Sequence, residues 1–315
     1  MTNSLRGDPI IAVDGLCKRY GPVIAVDNVS FTVGEREIFG ILGPNGAGKT
    51  TTLEMIEGLR EPDSGRVSVV GYDVRTDTEK VKQRIGIQLQ STSLFDHLTV
   101  AELVGLFASL YGADDSRGKI DRLLGLVSLQ EKRDDLADQL SGGQQQRLSI
   151  ALALVNDPEI VFLDEPTTGL DPKARRNLWE LVESIREDGA TIVLTTHYME
   201  EAEILCDRVA VMDNGQIILC DAPSKLIATL ETTASVSAEF GERVPEVSTL
   251  QSLSGVESVR FEGSRVTLQS TDLRRTMAGM IELSTQNGIE FDELTTTRPT
   301  LEDVFLHYTG RSLRA

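Results

Sequence analysis

Gly43-Pro-Asn-Gly-Ala-Gly-Lys-Thr50 decides the reading of this chain. It fits the pattern G-x-x-x-x-G-K-[S/T] of a phosphate-binding loop. Glu37-Ile-Phe-Gly-Ile-Leu42 before it is apolar enough for a buried strand. After Gly48, residues Leu53, Met55 and Ile56 carry a helix to a stop near Gly58. Strand, loop and helix aim backbone N–H groups and the positive end of a helix at one anion. Gly43, Gly46 and Gly48 let the backbone curl. The whole run Gly43, Pro44, Asn45, Gly46, Ala47, Gly48, Lys49, Thr50 and Thr51 is expected to touch nucleotide. Lys49 reaches the β- and γ-phosphates as a point charge, and the Thr50 hydroxyl is placed to ligate Mg2+. A Gly-rich turn could match by chance, but it would not need the flanking strand and helix.

Glu159-Ile-Val-Phe-Leu-Asp164-Glu165 runs four apolar residues into two carboxylates. It reads as a central parallel strand that ends where such sheets bind ligands. Asp164 is placed to hold Mg2+, directly or through water. Glu165 projects differently and can orient or deprotonate an attacking water. Without the loop at 43–50, two acids closing a strand would be an ordinary solvated turn.

At Leu140-Ser-Gly-Gly-Gln-Gln-Gln-Arg147 the chain resembles the signature sequence of the ATP-binding-cassette (ABC) ATPases. Ser141, Gly142, Gly143 and Gln144 open a helix read over Gln144–Val155, with Ser141 as its cap. Other family elements fall in order. Tyr20, in Lys18-Arg19-Tyr20-Gly21, resembles the aromatic residue that stacks on adenine. Gln90, ahead of Leu98-Thr99-Val100, resembles the catalytic, Mg2+-binding glutamine; the nearby Gln88 shares its strand face, and only spacing separates the two. Asp171, in Gly169-Leu-Asp-Pro172, resembles the D-loop aspartate, and His197 the switch histidine. Taken alone, Tyr20 would be an ordinary half-buried aromatic and His197 a structural histidine; chain order reverses both readings.

The resemblance spans about residues 10–220. It implies a P-loop NTPase cassette with a RecA-like α/β core, an antiparallel β layer and a helical subdomain. It also implies that Mg2+-ATP is bound, and its ATP hydrolysed, between two chains, because the signature faces the γ-phosphate held by the partner. The implied partners are a second copy of the chain and a separate integral membrane permease.

Composition bounds the rest. At 315 residues the chain is long enough for two domains. No run approaches the ~20 apolar residues of a membrane span, and Met1-Thr-Asn-Ser-Leu5 has no apolar signal core. The expectation is a cytoplasmic chain, peripheral on the inner face of the membrane. Cys17, Cys206 and Cys220 are scattered and read as reduced small hydrophobes. A net charge of −18 argues against a nucleic-acid surface.

The expected boundaries are a nucleotide-binding domain over 1–222, with its helical subdomain over about 91–156, and an accessory domain over 223–315. In the helical part, Leu103, Leu106, Phe107 and Leu110 are expected to share a face. In the accessory part, strands at 235–240, 256–261, 266–269 and 289–294 and helices at 247–253 and 273–286 follow the split-βαβ order of ferredoxin-like domains. Thr300 can cap a tail helix whose Leu301, Val304, Phe305 and Tyr308 face one way. The Leu301-Glu-Asp-Val-Phe305 tail, with Thr195-Thr-His-Tyr-Met-Glu-Glu-Ala202, resembles ATPase subunits of drug and antibiotic exporters, the daunorubicin-resistance type above all. A soluble ABC-type ATPase acting on nucleic acid or ribosomes is the alternative. Such proteins usually carry two cassettes, a coiled-coil insert or zinc cysteines, none of which is written here. An unrelated P-loop kinase would leave Leu140 to Gln144 unexplained.

Overall fold

A computed structural model describes residues 8–88, 97–230, 234–241, 244–287 and 289–310. They fall into two compact units that divide at Pro223/Ser224. The first runs β1 (Ile11–Tyr20), β2 (Val23–Val33), β3 (Ile38–Leu42), α1 (Lys49–Ile56), β4 (Ser64–Val69), β5 (Tyr72–Asp73), α2 (Thr78–Lys82), β6 (Ile85–Ile87), α3 (Val100–Tyr111), α4 (Arg117–Leu126), α5 (Gly142–Ala153), β7 (Ile160–Asp164), α6 (Pro172–Glu187), β8 (Thr191–Thr196), α7 (Met199–Leu205), β9 (Arg208–Asp213) and β10 (Gln216–Asp221). At the division stands α8 (Pro223–Ile227). The second unit continues β11 (Ala234–Phe240), α9 (Val247–Gln251), β12 (Val256–Glu262), β13 (Arg265–Ser270), α10 (Leu273–Asn287), β14 (Phe291–Thr297) and α11 (Leu301–Thr309).

A six-stranded sheet of order β10-β9-β3-β8-β7-β6 centres the first unit. Its inner pairs, β3 with β8 and β9, and β7 with β8 and β6, are parallel. Every residue of β3, β7 and β8 is buried, as strands covered on both faces must be. The β9–β10 hairpin turns through Asn214 (φ +48°) and Gly215 (φ +81°), the paired positive φ of a type I′ turn. The second sheet, β2-β1-β4-β5, is antiparallel. One apolar cluster joins both sheets around α1, from Ile11 and Val26 through Leu53 and Met55 to Phe162 and Val193. Within it, Phe31 of β2 stacks on Phe39 of β3 with centroids 4.9 Å apart. Such a pair contributes about 0.5–1.5 kcal/mol beyond its buried area.

The helical segment departs from the expected face in one place. Thr99 and Glu102 form a capping box at the start of α3, and Val100, Leu103, Val104 and Ala108 are buried. Leu110 is 71% exposed. Leu110 lies seven residues after the buried Leu103, along the same edge of the stripe, and is exposed in the last turn of the helix.

In the second unit, antiparallel strands are ordered β12-β13-β11-β14, with β-α-β-β-α-β connections. Val236, Ala238, Phe240, Val266, Leu268, Met280 and Leu250 make its core. The last strand is Phe291–Thr297, later than the expected 289–294. The ladder starts where Phe291 pairs with Phe240 and continues through the β-branched Thr295, Thr296 and Thr297. In α11 the Thr300–Asp303 capping box is present and Leu301, Val304 and Phe305 are buried. Tyr308, seven residues after Leu301 on the same face, is 44% exposed in the last turn of the helix.

Candidate nucleotide site

Strand order builds the site. The loop 43–48 leaves the end of β3, His197 follows β8, and Asp164 ends β7. Because β8 lies between β3 and β7, all three side chains emerge at one carboxyl edge of the sheet. Gly48 caps α1 with φ +103°, and a Cβ there would lie 2.3 Å from Ala25 O. Gly43 is needed for approach rather than for φ, since its Cβ would meet Met212 O at 2.2 Å. Tyr20, Asn45, Gly46, Lys49, Thr50 and Glu165 line one open cleft, with Gly48 and Thr51 beside them.

Lys49 is only 4% exposed. Its Nζ donates to Gly43 O at 2.9 Å and Pro44 O at 3.2 Å, so the loop holds the ammonium it needs for phosphate. The same Nζ lies 3.1 Å from Glu165 Oε1. Glu165 takes φ +47° directly after β7, a strained setting that turns its carboxylate back over the loop. Its N–H donates to Thr195 O at 3.2 Å and Thr195 Oγ1 at 3.0 Å. His197 Nδ1 stands 3.2 Å from Glu165 Oε2, within ion-pair range but not aligned as a hydrogen bond. Burial raises the Glu165 carboxyl. The Lys49 ammonium and then His197 outweigh that effect and hold it below its ordinary value.

Thr50 Oγ1 donates to Asp164 at 3.1 Å (Oδ2) and 3.3 Å (Oδ1). Thr195 Oγ1 also donates to Asp164. A hydroxyl and a carboxylate set side by side are the hard oxygen donors that suit Mg2+. Gln90 lies outside the described residues. Gln88 is buried, its N–H on Phe162 O at 3.0 Å, and its Oε1 has no partner among the described residues.

Tyr20 ends β1 and is 40% exposed. The Arg60 guanidinium lies 5.4 Å from its ring centroid, held there by Glu54 at 2.6 Å. Across the chain, Ser141, Gly142, Gly143 and Gln144 line a second cleft with Gly169, Leu170 and Asp171. Ser141 is the N-cap of α5, which begins two residues earlier than the expected helix, and Gln144 Oε1 accepts from its N–H at 2.9 Å. Asp171 caps α6, accepting from the N–H groups of Lys173 and Ala174 at 2.9 Å each.

Three participants were not legible beforehand. Thr195 bridges Asp164 and Glu165 from the neighbouring strand, and Arg60 braces Tyr20. Glu57, 4% exposed at the end of α1, has its carboxyl pushed up to about 8 by burial, then by Asp164 and Glu54. Only Glu57 carried a signal, a carboxylate four residues after the apolar Leu53 and so on the same helical face.

The ABC transporter family profile matches residues 26–168. Over 312 residues the chain is 40% identical to the Nod factor export ATP-binding protein I of Ralstonia nicotianae, covering 97% of this chain and 95% of that one. It is 38% identical over 311 residues to a daunorubicin resistance ATP-binding protein of Streptomyces coeruleorubidus, covering 98% of each. A dimeric structure of a bacterial ABC transporter cassette superposes with a TM-score of 0.61 at 30% identity, over 67% of this chain and 98% of that chain. With the loop, the paired carboxylates and the signature in place, the chain belongs to the ABC transporter family as an ATP-binding, ATP-hydrolysing subunit, similar to those of the exporter and drug-resistance type.

Proposed function

We propose that two copies of this chain close head to tail around two Mg2+-ATP and drive export through a separate integral membrane permease. One observation carries the reading. The cleft of Lys49, Thr50 and Glu165 and the cleft of Ser141, Gly143 and Asp171 share no lining residue. Each is built to receive an anion, and one bound ATP has a single γ-phosphate. A second protomer resolves this by bringing its signature to the first protomer's nucleotide. That a related cassette is known as a dimer supports the arrangement.

In this reading Tyr20 stacks on adenine, and residues 43–51 wrap the phosphates. Thr50 and Asp164, with Gln90, would hold Mg2+, which would supply positive charge to offset that of the phosphates. A water positioned by Glu165 attacks the γ-phosphorus, the bond to the β–γ bridging oxygen breaks, and ADP leaves. Glu165 takes the water's proton, and His197 steadies Glu165 and the γ-phosphate. Among the described residues no helix is long and apolar enough to cross a membrane, so the permease supplies both the pathway and the choice of cargo. Residues 223–315 are read as a separate accessory domain.

Light scattering on the Glu165→Gln chain tests the dimer, with membrane sedimentation alongside. At saturating Mg2+-ATP the chain is expected to double in mass, and to sediment with membranes only when a permease partner is co-expressed. A monomer at saturating nucleotide, with binding confirmed by calorimetry, overturns the head-to-tail reading.

A further inference from the structure

Behind the catalytic edge lies a buried carboxylate that the reaction described above does not use. Glu201, on α7, is 0% exposed. Its Oε1 accepts from Trp179 Nε1 of α6 at 3.1 Å. Burial raises its carboxyl above the ordinary value, while the Thr196 and Thr167 hydroxyls, Trp179 and the Arg175 charge pull the other way. These neighbours come from three segments that lead to the proposed catalytic groups. Thr167 is two residues past Glu165. Thr196 precedes His197 and accepts the Tyr198 N–H at 2.9 Å. Trp179 and Arg175 belong to the helix that Asp171 caps.

The cluster is polar, buried and incompletely paired. Glu201 Oε2, Thr167 Oγ1 and Arg175 Nε are all shielded from solvent and lack an aligned hydrogen-bond partner among the described residues. A group left so costs stability until a partner reaches it. The Arg175 guanidinium lies 5.5 Å from the Trp179 ring centroid and 5.6 Å from that of Tyr198, and the Tyr198 ring is 4.1 Å from His197. A shift of Arg175 or Thr167 therefore reaches both His197 and the loop of Glu165.

We infer that Glu201 is a positioning residue, whose carboxyl holds Trp179 through Oε1 and offers Oε2 to the Thr167 and Thr196 hydroxyls, so that Glu165, His197 and the Asp171 helix move as a unit when nucleotide binds. The inference rests on the roles of Glu165 and His197 proposed above. It does not place Glu201 in contact with ATP. The expected consequence is a defect in turnover rather than in affinity, because a misplacement of about 1 Å at reacting groups costs up to about 100-fold in rate.

The chain has a single tryptophan, and it is the Glu201 partner, so its emission reports on the cluster directly. Adding Mg2+-ATP to the full-length chain is expected to change Trp179 emission. Glu201→Leu, which fills the space without an acceptor, should abolish that change and lower kcat about 10- to 100-fold, with the ATP dissociation constant within about threefold of wild type. Glu201→Gln, which keeps an acceptor for Trp179 and adds a donor toward Thr167, should restore both. Emission that is indifferent to bound nucleotide in the wild-type chain overturns the inference, whether or not the Leu variant folds. So does a Leu variant whose kcat per folded molecule is unchanged. Loss of turnover in Glu165→Gln tests the underlying assignment separately, so the two failures are told apart.

Discussion

Lys49 Nζ sits 3.1 Å from Glu165 Oε1, joining the loop's cation to the carboxylate that is to activate water. Phosphate and Glu165 therefore compete for one ammonium. In the proposed mechanism the γ-phosphate would take Lys49 and free Glu165 toward water and toward His197, 3.2 Å from its other oxygen, so that nucleotide arrival and exposure of the base would become one event.

Lys49→Ala should abolish ATP binding or nearly so, because it removes the charge that meets the β- and γ-phosphates while leaving the glycines. It also strands the Glu165 carboxylate beside His197 alone, so the variant should lose some stability. Calorimetric titration with ATP is the check. Near-normal affinity sinks the role of the loop.

Glu165→Gln should keep ATP affinity and lose turnover by at least about 100-fold, since an amide keeps the shape and cannot accept the proton. In the wild-type chain the carboxyl is held below its ordinary value of 4.5. The ionised base therefore persists as pH falls, and the acid limb it contributes to kcat/KM lies below that value. Steady-state rates across pH measure both effects. Full activity in the variant moves the base elsewhere, with His197 next in line.

Tyr20→Ala should weaken nucleotide binding by about 1–3 kcal/mol, the range of base–aromatic stacking. Tyr20→Phe keeps the ring and should be nearly silent. Equal loss in both variants would assign the contribution to the hydroxyl. Arg60→Met removes the guanidinium over the ring and is expected to fall between them.

Ser141→Arg should block hydrolysis while ATP still binds the monomer through Tyr20, Lys49 and Thr50. The arginine would stand at the α5 N-terminus, where the partner's γ-phosphate has to approach. Circular dichroism establishes folding and calorimetry establishes affinity. Loss of monomer affinity in a folded variant would put Ser141 in its own chain's pocket.

Glu57 gives a pH signature of stability. Its carboxyl titrates at about 8 when folded, against 4.5 for the free group. Between those values the folded chain binds a proton that the unfolded chain has released, so stability falls as pH rises through this window. The full shift is on the order of a few kcal/mol. Glu57→Gln removes that slope. Urea unfolding should find the variant stabilised relative to wild type at pH 8, with the gap shrinking toward pH 5. A gap independent of pH would mean that Glu57 is not the titrating group.

What the sequence determined by itself is whatever is written within one turn or one strand: the loop at 43–50, the carboxylates closing Ile160–Asp164, the Ser141 cap, the Asn214-Gly215 hairpin and the β-α-β-β-α-β order at the end. Each rests on a local period or on a motif whose spacing the backbone enforces. Only the tertiary structure decided which elements are neighbours. Nothing local announced that Ser64–Val69 would pair with Ile11–Tyr20 in the antiparallel layer. Nothing local announced that β8 would lie between β3 and β7, which is why Thr195 reaches both Asp164 and Glu165. The pairing of Lys49 with Glu165 and the burial of Glu201 against Trp179 likewise join residues far apart in the chain. Their partners are chosen by strand order and by which face of a helix the core covers, and those are properties of the whole packing rather than of any window of residues.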